Sequence, residues 1–148
     1  MSVTDPGGTI TYTLRPDGQP SSITAPGNVV TSFGYDSYGR QTSIADPSAG
    51  TQTFNDVYAS NGELTRTVKD ANNKTVTSTH DKYGRVTGVS RPEFNTAYAY
   101  NADGLLVSEI STNGTEVHYE EYDAFDRIKV VKETVPDGKW LKKTFNYN

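Results

Sequence analysis

Three carboxylate and guanidinium pairs are the first residues in this sequence that could do chemistry: Asp36 with Arg40, Asp81 with Arg85, and Asp123 with Arg127, each four residues apart. A carboxylate serves as a general acid or base when its pKa is poised near neutrality. A guanidinium four residues away works against that use, because a neighbouring cation keeps the carboxylate ionised. The pairs are therefore read as structural. The carboxylate caps the N–H groups of a turn while the arginine fork holds its other edge. The two histidines, His80 and His118, make no metal site by themselves, and no acidic cluster with ligand spacing surrounds them. No catalytic residue, metal or cofactor is expected, and the chain is not read as an enzyme.

One binding chemistry competes with a purely structural reading. Tyr38, Tyr83 and Phe125 each stand just before a turn position, and flat aromatic rings on an open sheet can stack on sugar rings. The opposing reading buries the same row in the second face of the sheet, where it binds nothing. Trp140 is assigned to strand packing. The sequons Asn73-Lys74-Thr75 and Asn113-Gly114-Thr115 are too short a motif to carry weight.

These residues sit in a repeated frame. The fullest block, Tyr35-Asp36-Ser37-Tyr38-Gly39-Arg40, returns as His80-Asp81-Lys82-Tyr83-Gly84-Arg85 and Tyr122-Asp123-Ala124-Phe125-Asp126-Arg127. Looser versions occupy 14–19, 58–63 and 100–105, so the six blocks place turns at 18, 39, 62, 84, 104 and 126. A period of this size signals an array of like supersecondary units. The full and loose blocks alternate. The loose ones put Asp17, Asn61 or Asp103 before glycine, which predicts positive φ angles at both residues of a two-residue corner. Asp126 replaces glycine and is expected to keep its turn, since Asp tolerates the left-handed region better than most residues.

Apolar alternation surrounds the blocks. Ile10, Tyr12 and Leu14 lie on one side of a first strand, and aromatic residues recur four and six places before the later turns. A second apolar strand follows each turn, giving an all-β antiparallel array of six β-hairpins and a final strand, about 13 strands in a curved, open or spiral sheet. One detail resists a simple sheet. The distal apolar residue stands five places after the turn at Ile44, Val89 and Val131 but six places after it at Val68 and Ile110. Either one kind of hairpin carries a β-bulge or both faces are partly buried. The terminal strands, Thr9–Leu14 and Lys142–Tyr147, are expected to be unpaired edges that recruit partners.

Bulk properties agree with a thin sheet. The 148 residues are 33% hydrophobic and include ten tyrosines. That composition suits strands with one or two narrow apolar faces and fits a single array spanning 1–148. A net charge of −4 argues against nucleic acid as a partner. The absence of cysteine removes disulfides and thiolate sites. No apolar run is long enough to span a membrane as a helix.

The Tyr-Asp-x-x-Gly-Arg block, its period and the aromatic strands before it resemble the RHS/YD-repeat family, from about Thr9 to the end of the chain. The resemblance implies part of a large secreted or cell-surface protein whose repeats coil into a hollow β-shell. Such shells enclose toxic domains in bacterial toxins and form part of adhesion receptors in the teneurins. It also implies other repeats of the parent chain as partners and, alternatively, carbohydrate binding or adhesion. The core segment with self-cleaving aspartates that follows the repeats in the toxins has no counterpart here, and the chain reads as an excerpt.

Overall fold

The computed structural model describes residues 1–147. Among these the regular structure is entirely strand: β1 (Ser2–Asp5), β2 (Gly8–Leu14), β3 (Pro20–Ala25), β4 (Val29–Tyr35), β5 (Gln41–Asp46), β6 (Gly50–Tyr58), β7 (Leu64–Lys69), β8 (Thr75–His80), β9 (Val86–Ser90), β10 (Asn95–Tyr100), β11 (Leu106–Ser111), β12 (Glu116–Tyr122), β13 (Ile128–Thr134) and β14 (Trp140–Thr144). The sheet order follows the sequence order from β1 to β14, so each strand lies beside its neighbours in the chain. The fold is all-β and antiparallel, as the period implies.

The strand count exceeds the expected 13 by one. Ser2–Asp5 pairs with Gly8–Thr11, so the Pro6-Gly7 pair is a hairpin corner and the first edge is β1, not Thr9–Leu14. At the other end β14 stops at Thr144, and Phe145 continues the ladder by donating its N–H to Lys129 O at 2.8 Å. Two compact units divide the chain. One holds Met1–Asp56 with Arg66–Thr75, the other Val57–Thr65 with the residues from Val76 on.

Each strand survives on very little burial. Among the described residues only Val130, Val131 and Thr96 are buried, at 5%, 7% and 7% exposure. Cross-strand pairing supplies the rest. Tyr12 stands opposite Ile23, Phe33 opposite Ile44, and Tyr119 opposite Val131. Such aromatic and β-branched pairs are the unit of sheet stabilisation.

The odd-to-even puzzle resolves into the second of its alternatives, apolar cover on both faces, and not into a bulge peculiar to one kind of hairpin. In β2–β3, β4–β5, β8–β9, β10–β11 and β12–β13 the strand after the corner carries one extra residue: Ser21, Thr42, Thr87, Val107 and Lys129. The bulge is thus common to full and loose blocks, and it resets the alternation one step beyond each of these five corners. Val130 and Val131 are consecutive and both buried, so both faces of the sheet carry apolar cover. In β11 the place opposite Tyr98 is taken by Glu109, and the apolar Ile110 moves to the other face, opposite Ala97. Glu109 is held there by the Tyr119 hydroxyl, which donates to Oε1 at 2.6 Å. Trp140, expected to pack within a strand, stands 62% exposed on the last one.

Candidate functional site: the hairpin corners

The corners repeat one backbone design. In the second block Gly39 donates its N–H to Asp36 O at 3.1 Å, and Asp36 donates its own to Arg40 O at 2.9 Å. The same pair of bonds closes the blocks at Arg15–Gln19, Ala59–Glu63, Asp81–Arg85, Asn101–Leu105 and Asp123–Arg127. This is a type I turn followed by a residue in the left-handed region, with φ of 78° at Gly39 and 81° at Gly84. Asp126 takes that place at φ 62°, so its turn does survive the loss of glycine. The loose blocks are not the two-residue corners their Asp-Gly and Asn-Gly pairs suggest. Positive φ is found at Gly18, Gly62 and Gly104, while Asp17, Asn61 and Asp103 are not among the left-handed residues. The bulge geometry needs only one such residue, so the preceding position is released from that demand.

The aspartates act as the spacing predicts. Asp36 Oδ1 accepts the N–H groups of Tyr38 and Arg40, both at 2.9 Å, and its Oδ2 accepts Arg40 Nε at 2.7 Å. Asp81 makes the same bonds to Tyr83 and Arg85, and Asp123 to Phe125 and Arg127. Partial desolvation raises the pKa of each of these carboxyls. The bonds from backbone and arginine, with the arginine charge, outweigh it and leave all three below the usual carboxylate range. Such groups stay ionised at neutral pH and are poor proton carriers.

The arginines have a second role that the four-residue spacing does not announce. Arg85 lies between two rings, 5.1 Å from the Tyr83 centroid in its own corner and 4.7 Å from Tyr100 in the next hairpin. Arg127 repeats this between Phe125 at 5.3 Å and Tyr147 at 4.3 Å. One guanidinium therefore grips its aspartate at the edge and lies over two aromatic rings, one in its own corner and one in the next hairpin. The receiving tyrosine is anchored as well. Tyr100 donates its hydroxyl to Val86 O at 2.8 Å, and Tyr147 donates to Ile128 O at 2.7 Å. Tyr122 bonds Leu106 O at 2.5 Å, and burial pushes the pKa of both Tyr100 and Tyr122 up.

In the first block the parts are exchanged. Arg15, from the second block position, stacks on Tyr35 at 4.6 Å, and Tyr35 bonds Pro20 O at 2.8 Å. Gln19, where a full block has arginine, donates Nε2 to Gly39 O at 3.1 Å and so still links its corner to the next. Asn101 stands where a full block has aspartate and accepts Leu105 N–H at 2.8 Å. A further corner was hidden in a connector. Asp70 Oδ1 accepts the N–H groups of Asn72 and Lys74, with Asn73 left-handed at φ 63°. Its Asp-x-x-Asn-Lys spacing mirrors the full block, and that spacing is the signal that could have found it.

The proposed contact rings are open to solvent. Tyr38, Tyr83 and Phe125 are 84%, 71% and 79% exposed, which excludes burial in the second face. Each has its arginine against one side, with Arg40 5.3 Å from the Tyr38 centroid. Tyr38 also borders a cleft of about 270 Å³ lined with Asp36, Arg40, Gln41, Phe54 and Asp56. His80 is half-buried and bonds Ser78 Oγ at 3.0 Å, and no metal-holding cluster exists among the described residues. No helix among them is long and apolar enough to cross a membrane.

An array of antiparallel hairpins joined corner to corner by arginine and tyrosine defines a structural β-repeat class. A family model described as RHS Repeat matches residues 16–51 and 100–139, just over half of the chain, and the chain belongs to that repeat family. Its sheet is also similar to a crystal structure of TcdB2-TccC3-TEV, with 14% identity and a TM-score of 0.45. That match covers 95% of this chain and 11% of the other, so the chain spans about a tenth of that neighbour's length. No curated protein matches the chain.

Two measurements check the corner. Urea unfolding of Asp81→Ala, Arg85→Ala and the double variant should be non-additive, the double variant losing less than the sum of the singles; additive losses would remove the pair as a unit. Tyr100→Phe keeps the ring under Arg85 but deletes the bond to Val86 O, and should cost about 1 kcal/mol in the same assay. No loss would show that the hydroxyl bond is immaterial.

Proposed function

We propose that this chain is a segment of β-shell wall in a secreted or surface repeat protein, such as a shell that encapsulates a toxic domain. The observation that carries the reading is the arginine stack. In two of the three full blocks it commits the arginine to joining one hairpin to the next, and the block carboxylates it holds stay ionised. Repeat scaffolds that contact only their neighbours build extended surfaces in this way. The six blocks then belong to one continuous array, 1–148, whose edges meet other repeats. Cryo-electron microscopy of the full-length product of the encoding gene should show a hollow β-walled particle with this sequence in its wall. A solid domain at this position would overturn the reading.

The exposure of Tyr38, Tyr83 and Phe125 favours a second reading, a carbohydrate-binding or adhesion module. Each ring has an arginine against it and stays largely exposed, though Lys82 also lies over Tyr83 at 5.0 Å, while the cleft beside Tyr38 is lined with the carboxylates and amide that recognise sugar hydroxyls. A glycan array probed with the chain should show binding that Tyr38→Ala with Tyr83→Ala abolishes. An empty array leaves the wall as the sole function.

A further inference from the structure

Asn61 and Asn113 are the asparagines of this sequence that a glycine follows, Gly62 and Gly114. Both pairs are exposed at a corner of the repeated design. Gly62 donates its N–H to Ala59 O at 3.0 Å, and Ala59 donates its own to Glu63 O at 2.9 Å. On the opposite edge Gly114 donates to Ser111 O and Ser111 to Thr115 O, both at 2.9 Å.

A side-chain amide of this kind is open to attack by the backbone nitrogen of the next residue, and glycine puts no Cβ in the way. The corner adds electrostatic help. Asn61 Oδ1 accepts Glu63 N–H at 3.2 Å, and Asn113 Oδ1 accepts Thr115 N–H at 3.0 Å. A donor so placed stabilises the negative charge that gathers on Oδ1 as nitrogen adds to Cγ. The glycine N–H must first leave its carbonyl partner, so the reaction passes through a briefly opened corner.

We propose that Asn61 and Asn113 are sites of hydrolytic deamidation, each converted to aspartate with its corner preserved. The glycine nitrogen loses its proton to solvent base and bonds to Cγ. The Cγ–Nδ2 bond breaks, ammonia leaves and a cyclic imide remains. Water then opens the ring by one of two routes. Attack at Cγ breaks the new bond to nitrogen, restores the original backbone and leaves aspartate. Attack at the main-chain carbonyl carbon breaks the old peptide bond and leaves isoaspartate, whose chain runs through Cβ. Nothing is oxidised or reduced in either route.

The fold selects between the two products. Aspartate already holds this place in other corners of the chain: Asp17 Oδ1 accepts Gln19 N–H at 3.1 Å and Asp137 Oδ1 accepts Lys139 N–H at 3.0 Å, before the left-handed Gly18 and Gly138. Isoaspartate puts an extra backbone atom inside the loop that the two corner bonds close, so both bonds cannot be kept between strands in register. Room to shift is small. A methyl group on Gly62 would meet Lys82 Cβ at 3.3 Å, and one on Gly114 would meet Pro136 Cα at 3.2 Å. An unstructured chain lacks these constraints and yields mainly isoaspartate. Each conversion adds a negative charge to a chain already at −4.

The test incubates the folded chain in warm, mildly alkaline buffer beside the same chain in urea. Mass spectrometry of the corner peptides, with isoaspartyl methyltransferase to count isoaspartate, reads both sites. In the folded chain Asn61 and Asn113 should lose their amides with aspartate in excess, while Asn101, followed by Ala102, keeps its amide; in urea isoaspartate should be in excess. Retention of either amide over the time in which the urea sample loses it, equal loss at Asn101, or an excess of isoaspartate in the folded chain would overturn the proposal. The double variant Asn61→Asp with Asn113→Asp checks the product directly. Its urea midpoint should match that of the unmodified chain, and a lowered midpoint would show that these corners do not accept aspartate.

Discussion

A guanidinium held at its rim by a carboxylate and lying over two aromatic rings is the interaction on which the rest of the sheet depends. Arg85 with Asp81, Tyr83 and Tyr100 is the fullest case, and Arg127 repeats it. Arginine suits this place because its planar, permanently charged group can fork and stack at once, which the point charge of lysine cannot. The arrangement makes a local turn and a contact to the following hairpin with a single side chain. Local geometry and order along the array are fixed together.

That coupling matters because the sheet has almost no interior. An ordinary domain of this length hides many side chains, and burial of apolar area drives its folding. Here burial is confined to Val130, Val131 and Thr96 among the described residues. The remaining order comes from continuous backbone pairing, from cross-strand contacts on both faces and from corners that touch. Gly62 lies against Lys82, Gly104 against Arg85 and Gly50 against Ala71. Neighbouring hairpins support one another in place of a core, as expected of a quasi-linear repeat.

Much of this was legible from spacing alone. Glycine at fixed intervals marks corners because only a few residues accept the left-handed conformation, and the Asp-to-Arg distance matches the reach of a carboxylate across a three-residue loop. What escaped the sequence has physical reasons. Asp17, Asn61 and Asp103 look like members of two-residue corners because a dipeptide carries no record of the bulge that follows it. The pairing of Arg85 with Tyr100 spans hairpins, and its partner in the first block, Arg15, comes from a different position. Exposure of Tyr38, Tyr83 and Phe125 depends on the rings standing at the corner tip and not on the strand faces, a matter of three dimensions that alternation cannot report.

The tyrosine hydroxyls end on main-chain oxygens, at Pro20, Val86, Leu106 and Ile128. A carbonyl is supplied by every amino acid, so the socket imposes no identity on the residue that provides it. Hairpins that differ at that position remain interchangeable as parts, and duplication or recombination within a gene could lengthen or reshuffle the array without needing a matching change in the neighbour. Growth by copying would be open to such a chain in a way that a jigsaw-packed interior forbids.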